Sequence, residues 1–149
     1  MFIEVKMRHL FLILATVGVC LTASAQTKFL PNAPEAKRVA EGVVARFAAG
    51  NFPGAWNEMR QLSVAPPSEF DAFEAQFSSQ AGDLLRRFGS SLGYEFISEQ
   101  ALGTSLVRYQ FLIRHEKAPM RWYFIFYRSE KGWVLTDFKF DGNTAALFP

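Results

Sequence analysis

Cysteine is almost absent from this chain: Cys20 is the only one. Histidine is scarce too, with only His9 and His115. Neither a disulfide framework nor a thiolate metal site can be built from a single cysteine. Charge of one sign is also missing, with 16 Lys and Arg against 14 Asp and Glu. No long-range field therefore draws the chain to nucleic acid or an anionic membrane. There is no Gly-rich phosphate loop, because Gly50-Asn51-Phe52-Pro53-Gly54 spans a junction between two helical patterns and Pro53 lacks a donor amide. Gly89-Ser90-Ser91-Leu92-Gly93 follows a helical pattern, not a strand, which excludes a lipase-type nucleophile elbow.

What is present begins with an address. Lys6 and Arg8 precede the apolar run Leu10–Leu21, which is too short to cross a bilayer, and Ala23-Ser24-Ala25 offers a small-x-small cleavage site. The expectation is a signal peptide over residues 1–25, with Met1 or Met7 as the start, and export to the periplasm or beyond. Val19 before Cys20 is a poor lipobox, so lipidation at Cys20 is not expected. Cleavage would remove the only cysteine and one histidine. It would leave 14 basic residues (16 without Lys6 and Arg8) and 13 acidic ones (14 without Glu4).

After a short leader, 26–33, one domain is expected over 34–149. Pro34 suits the first turn of a helix carrying Ala36, Val39, Ala40, Val43 and Phe47 on one face, with Gly50 beyond its end. A second helix runs from Pro53 to about Leu62 with Trp56 and Met59 inward. Ser68-Glu69-Phe70-Asp71 predicts a capping box for a third helix. Phe70, Phe73, Phe77, Ala81, Leu84 and Phe88 form its stripe, which Gly89 ends. Strands follow at Leu92–Gln100, Leu106–His115, Met120–Arg128 and Trp133–Asp141, in a meander.

Keeping one face apolar sets the expected register. Across a Glu116–Pro119 loop, Ile113 pairs with Trp122, Phe111 with Phe124, and Tyr109 with Phe126. Across a three-residue Glu130-Lys131-Gly132 loop, Phe126 pairs with Thr136, Phe124 with Phe138, and Trp122 with Phe140. Asp137 and Asp141 then point outward, and Arg121 lies beside Asp141 and Arg114. Arg108, Arg114, Arg121 and Arg128 interleave with aromatics, but Arg128 falls on the opposite face from Arg121, so no nucleic-acid platform is expected.

Three helices followed by a curved four-stranded antiparallel meander, closing with Arg121-Trp122, Phe126-Tyr127, Trp133, Phe138-Lys139-Phe140-Asp141 and Leu147-Phe148, resemble the NTF2-like (cystatin-like α+β cone) superfamily, in particular its small exported bacterial members without assigned activity. The resemblance implies an α+β fold with a pocket between the concave sheet and the helices. Trp56, Tyr109, Trp122 and Phe124 are the candidate pocket residues. In enzymes of that superfamily an Asp, His or Tyr in the pocket moves protons, but no inward carboxylate is expected here and His115 falls at a solvated hairpin. No cofactor and no metal are expected.

The outer face is expected to gather Leu112, Tyr123, Ile125, Tyr127, Trp133 and Leu135, an apolar patch suited to a homodimer or to cover by the chain's own termini. The leading expectation is a non-catalytic binding protein for a small apolar ligand or a protein partner. An isomerase, dehydratase or hydrolase using a Tyr or His115, and a structural dimeric envelope module, are the alternatives.

Overall fold

Two asparagines start the first two helices. In the computed structural model, which describes residues 26–149, the Asn32 side chain accepts from the Glu35 N–H at 2.8 Å and caps α1, Ala33–Ala48. Asn51 does the same for α2, Phe52–Leu62, accepting from the Gly54 N–H at 3.1 Å. Each cap satisfies an amide that a helix start leaves unpaired. Pro34 and Pro53 follow in the first turns, where a missing N–H costs nothing.

The third helix, α3, Pro67–Phe88, starts differently from expectation. Pro66 holds the cap position and Pro67 the first helical one, so Ser68 already lies inside the helix and no side chain caps it. The expected capping box does not form. At the other end Gly89 turns the chain with φ 80° and ψ −175°, and its N–H donates to Leu85 O at 2.9 Å. That positive φ suits glycine, and a Cβ there would meet Glu116 Cβ at 2.9 Å.

The strands are β1, Ser91–Leu102; β2, Leu106–His115; β3, Met120–Ser129; and β4, Gly132–Asp141, followed by a 3₁₀ turn at Thr144–Leu147. They form one antiparallel sheet in chain order. The protein is therefore α+β, with three helices against one four-stranded meander.

Register departs from expectation in both hairpins. β2 and β3 pair two residues away from the expected alignment: Ile113 faces Met120, Phe111 faces Trp122, and Tyr109 faces Phe124. An even slip keeps every side chain on its face. The end of β2 is fastened on its other edge, to β1 and the corner after α3. His115 pairs with Ser91, the Glu116 N–H donates to Ser90 O at 3.0 Å, and the Lys117 N–H donates to Phe88 O at 2.9 Å.

In the last hairpin Trp122 does face Phe140 and Phe124 does face Phe138, but Phe126 faces Leu135 and not Thr136. The turn is tighter than expected, with Ser129 paired to Gly132, and a bulge between Ile125 and Phe126 absorbs the odd residue. Thr136 is thereby exposed and Leu135 is buried.

The core is aromatic and continuous. Phe47 of α1 lies 4.4 Å, centroid to centroid, from Trp122, which stacks on Phe140 at 4.6 Å. Trp56 of α2 and Phe77 of α3 meet edge-on at 5.8 Å beneath them. Tyr109 is fully buried and donates its hydroxyl to Ala33 O at 2.7 Å, pinning the start of α1. Burial, and secondarily the charge of Glu99, push its phenol up to about 12.

The leader is fastened down as well. Leu30 is buried and exchanges two backbone hydrogen bonds with Trp133, at 2.9 and 2.8 Å. The Lys28 N–H donates to Gln61 O at 2.6 Å and the Thr27 hydroxyl to Ser63 O at 3.0 Å. Gly132 makes room for this strap: a Cβ there would lie 2.6 Å from Leu30 O. Among the described residues no helix is long and apolar enough to cross a membrane. The expected signal peptide and Cys20 lie outside the described residues.

Candidate functional site

α3 meets the sheet mainly through its first half. Phe70 and Phe73 pack on Phe138 at 5.9 and 5.3 Å, and Phe77 on Phe140 at 5.6 Å. Beyond Phe77 the helix presents Ala81 and Gly82, and it stands off from the sheet until Phe88 is buried again. The small residues Ala48, Ala49 and Gly50 end α1 on the same side. Between them lies a cleft of about 530 Å³, within the size range of small-molecule sites. Its floor is Trp122, Met120 and Ile113; its walls include Phe47, Phe77 and Leu84. Phe52 and Leu85, 37% and 59% exposed, make the mouth apolar.

The polar atoms of the cleft gather at the corner after α3. Ser90, Ser91 and His115 are there. His115 was expected on a solvated hairpin; it is instead half-buried in the cleft wall, on the inward face it shares with Ile113. Its Nδ1 lies 3.1 Å from Gly89 O, and its ring tilts against Phe88 at 5.8 Å. No aspartate or glutamate lines the cleft. Among the described residues no group of three His, Cys, Asp or Glu could hold a metal ion.

Of the four expected pocket residues, only Trp122 lines this cleft. Trp56 borders a smaller cavity of about 210 Å³, together with Phe73, Phe138 and Lys139. Tyr109 and Phe124 are buried in the packed centre and line neither. The middle of the sheet's helix-facing side is filled by aromatic rings, so the space lies at one end of it. The sequence signal for that displacement is the pair of small-residue steps, Ala48-Ala49-Gly50 and Ala81-Gly82, where a continuous core stripe would carry bulk. A third depression, of about 620 Å³, is an open groove beside the β3–β4 turn, lined largely by polar residues such as Thr104, Arg128 and Glu130.

The outer sheet face differs from expectation. Leu112, Tyr123 and Ile125 are half-buried on it and Tyr127 is 43% exposed. Leu135 faces the core, and Trp133, also shifted by the bulge, packs against the core beside Leu30. Val134, paired with Tyr127, takes their place and is buried. Polar groups interrupt the patch: Gln110 donates to Ser98 Oγ at 3.0 Å, and Arg121 makes a two-pronged ion pair with Asp141 at 3.1 and 2.6 Å.

Fold and cleft together define an α+β protein with an apolar cavity at one end of its sheet. No family model, curated protein or solved structure matches the chain.

Proposed function

We propose that this is an exported, non-catalytic binding protein of NTF2-like type, which holds a small apolar ligand in the cleft between α3 and the β2–β3 end of the sheet. The observation that carries the reading is the cleft itself, about 530 Å³ with an apolar floor and an apolar mouth. A cavity with that lining favours ligands that leave water. An acid–base enzyme is less well supported. Tyr109 is occupied with Ala33 O and its phenol is pushed up to about 12 by burial, and His115 has no carboxylate partner in the cleft.

The test is titration of residues 26–149 with the fluorescent apolar probe N-phenyl-1-naphthylamine. Binding is expected to raise the probe's fluorescence, and Ala81→Trp, which fills the cleft from α3, is expected to weaken it at least tenfold. Undiminished binding to the variant would place the probe elsewhere and remove this reading.

A second reading, pairing of two copies through the outer face, is favoured by the exposure of Tyr127 beside its cross-strand neighbour Leu106, 43% and 37%.

A further inference from the structure

The two edges of the sheet are built differently. β1 forms one edge. Two irregularities interrupt it, and its only charged residues are Glu95 and Glu99. Two β1 strands laid side by side would gather like charge along a broken ladder. β4 forms the other edge. Its start is covered, by Leu30 on Trp133 and by the bridge between Ser63 and Leu135. Beyond that point, residues 136–141 meet no further strand among the described residues, and no backbone bond to them is made from the side away from β3. From Asp137 to Asp141 the pairing with β3 runs without interruption, so this half-strand presents a regular, open ladder.

The side chains along it are of mixed sign. Asp137 and Lys139 are exposed and share the outer face, opposite Ile125 and Tyr123 of β3. Asp137 has no ion-pair partner among the described residues. Lys139 Nζ lies 3.4 Å from Asp141, whose carboxylate Arg121 already holds through two hydrogen bonds. Phe138, between them, faces the helices. Phe73 of α3 packs on it at 5.3 Å and is still 43% exposed.

We propose that this half of β4 is the docking edge for a second copy of the chain, paired antiparallel about a two-fold axis at Phe138, so that the two meanders form one continuous sheet. This edge is separate from the outer face around Tyr127, and the proposal does not depend on the cleft holding a ligand. Charge selects the register. Opposite residues of an antiparallel pair share a face, so the axis must pass through a residue position. An axis at Asp137 sets that carboxylate against its own copy. An axis at Lys139 sets lysine against lysine and Asp137 against Asp141. An axis at Phe140 sets Lys139 against Asp141, which Arg121 already occupies, and runs off the end of the strand. An axis at Phe138 sets Asp137 against Lys139 twice, once on each side, and leaves no like charges opposed. It also puts both helix layers on the same side of the joined sheet, where the exposed Phe73 of each copy is drawn toward the axis. A guard against strand addition needs only charge; a self-complementary pair of charges two residues apart also specifies a partner.

The experiment is light scattering on residues 26–149 with a charge swap. The unaltered protein is expected to show the mass of two chains. Lys139→Asp opposes two carboxylates and Asp137→Lys opposes two ammonium groups, so each is expected to return the mass to that of one chain. The double variant restores unlike pairs and is expected to restore the dimer. That rescue separates lost pairing from lost folding, and an unchanged circular dichroism spectrum in each single variant confirms that the fold persists. Tyr127→Glu is expected to leave the dimer intact. A single-chain mass for the unaltered protein at high concentration overturns the proposal and makes these charges a guard only. So does a dimer that survives both single variants, which would place the contact elsewhere. Failure of the double variant to regain the dimer while folded overturns the register and the proposal with it.

Discussion

Arg121 is 8% exposed, a severe position for a charge without a partner. Its hydrogen-bonded pairing with Asp141 holds that carboxyl below its ordinary value of 3.8, with the Asn143 amide adding to the effect. A carboxyl whose value is lowered by folding stabilises the fold above its unfolded value, and that contribution is lost as pH falls through the lowered folded value. Asp141→Asn is therefore expected to cost about 1–2 kcal/mol at neutral pH, part of what a fully buried pair would lose. The difference from the unaltered protein should shrink toward zero in acid, once the pH has fallen below the carboxyl's lowered value. Urea unfolding at both pH values measures it; an equal cost at both would mean that the carboxylate charge is not what matters. This pair was legible in the sequence, because strict alternation puts both residues on the outer face and the hairpin register sets them opposite. Arg114 is not the residue opposite, since Arg121 pairs with Leu112.

Among the elements, three strands and three helices follow directly from periodicity, while β1 is longer than its weak pattern suggests. Two irregularities in β1, between Ser91 and Gly93 and between Phe96 and Ser98, break the alternation that pattern reading depends on. The bulge in β3–β4 was illegible for a related reason. Slipping the whole hairpin by one residue would bury Asp137 and Lys139, which favoured the looser turn. The structure confines the slip to the part nearest the turn, so Leu135 goes inward while Asp137 and Lys139 stay out. Gly132 belongs to this scale, because it joins two elements. Its φ is 131° and its α-carbon faces Leu30 O. Gly132→Ala is expected to push the strap off β4, with a loss of roughly 1.5–3 kcal/mol for exposing a leucine side chain. Hydrogen exchange should show fast turnover at the Leu30 amide with β2 still protected. Unchanged protection at Leu30 would mean that the backbone gives way without releasing the strap.

At the level of the whole molecule, the sequence indicated the layers but misplaced the space between them. A stripe of phenylalanines on α3 reads as a helix lying flat on a sheet, and its first half does so. The cleft exists because bulk runs out at Ala81-Gly82 on α3 just where α1 ends in small residues, a coincidence of two elements distant in the chain. His115 shares the inward face of Ile113 by plain alternation; what no local pattern encodes is that the following turn is anchored on the corner after α3, through the Glu116 and Lys117 amides. The opposite side of the sheet bears on the assembly. Pairing of two copies there predicts a dimer mass in light scattering of residues 26–149, and reversal by Tyr127→Glu, which plants a charge in the patch. A monomer mass at high protein concentration would remove that proposal and leave the cleft as the working surface.

The strap of Leu30 on Trp133 ties nearly the first described residue to the last strand. Neither partner can be satisfied until β4 has been made and set in place, so this is a closing step and not an early one. It also occupies backbone groups at the start of β4 that would otherwise lie open to a strand from another molecule. A chain shortened past Leu30 would keep its core but expose that edge, and its characteristic failure would be aggregation by strand addition before any loss of fold.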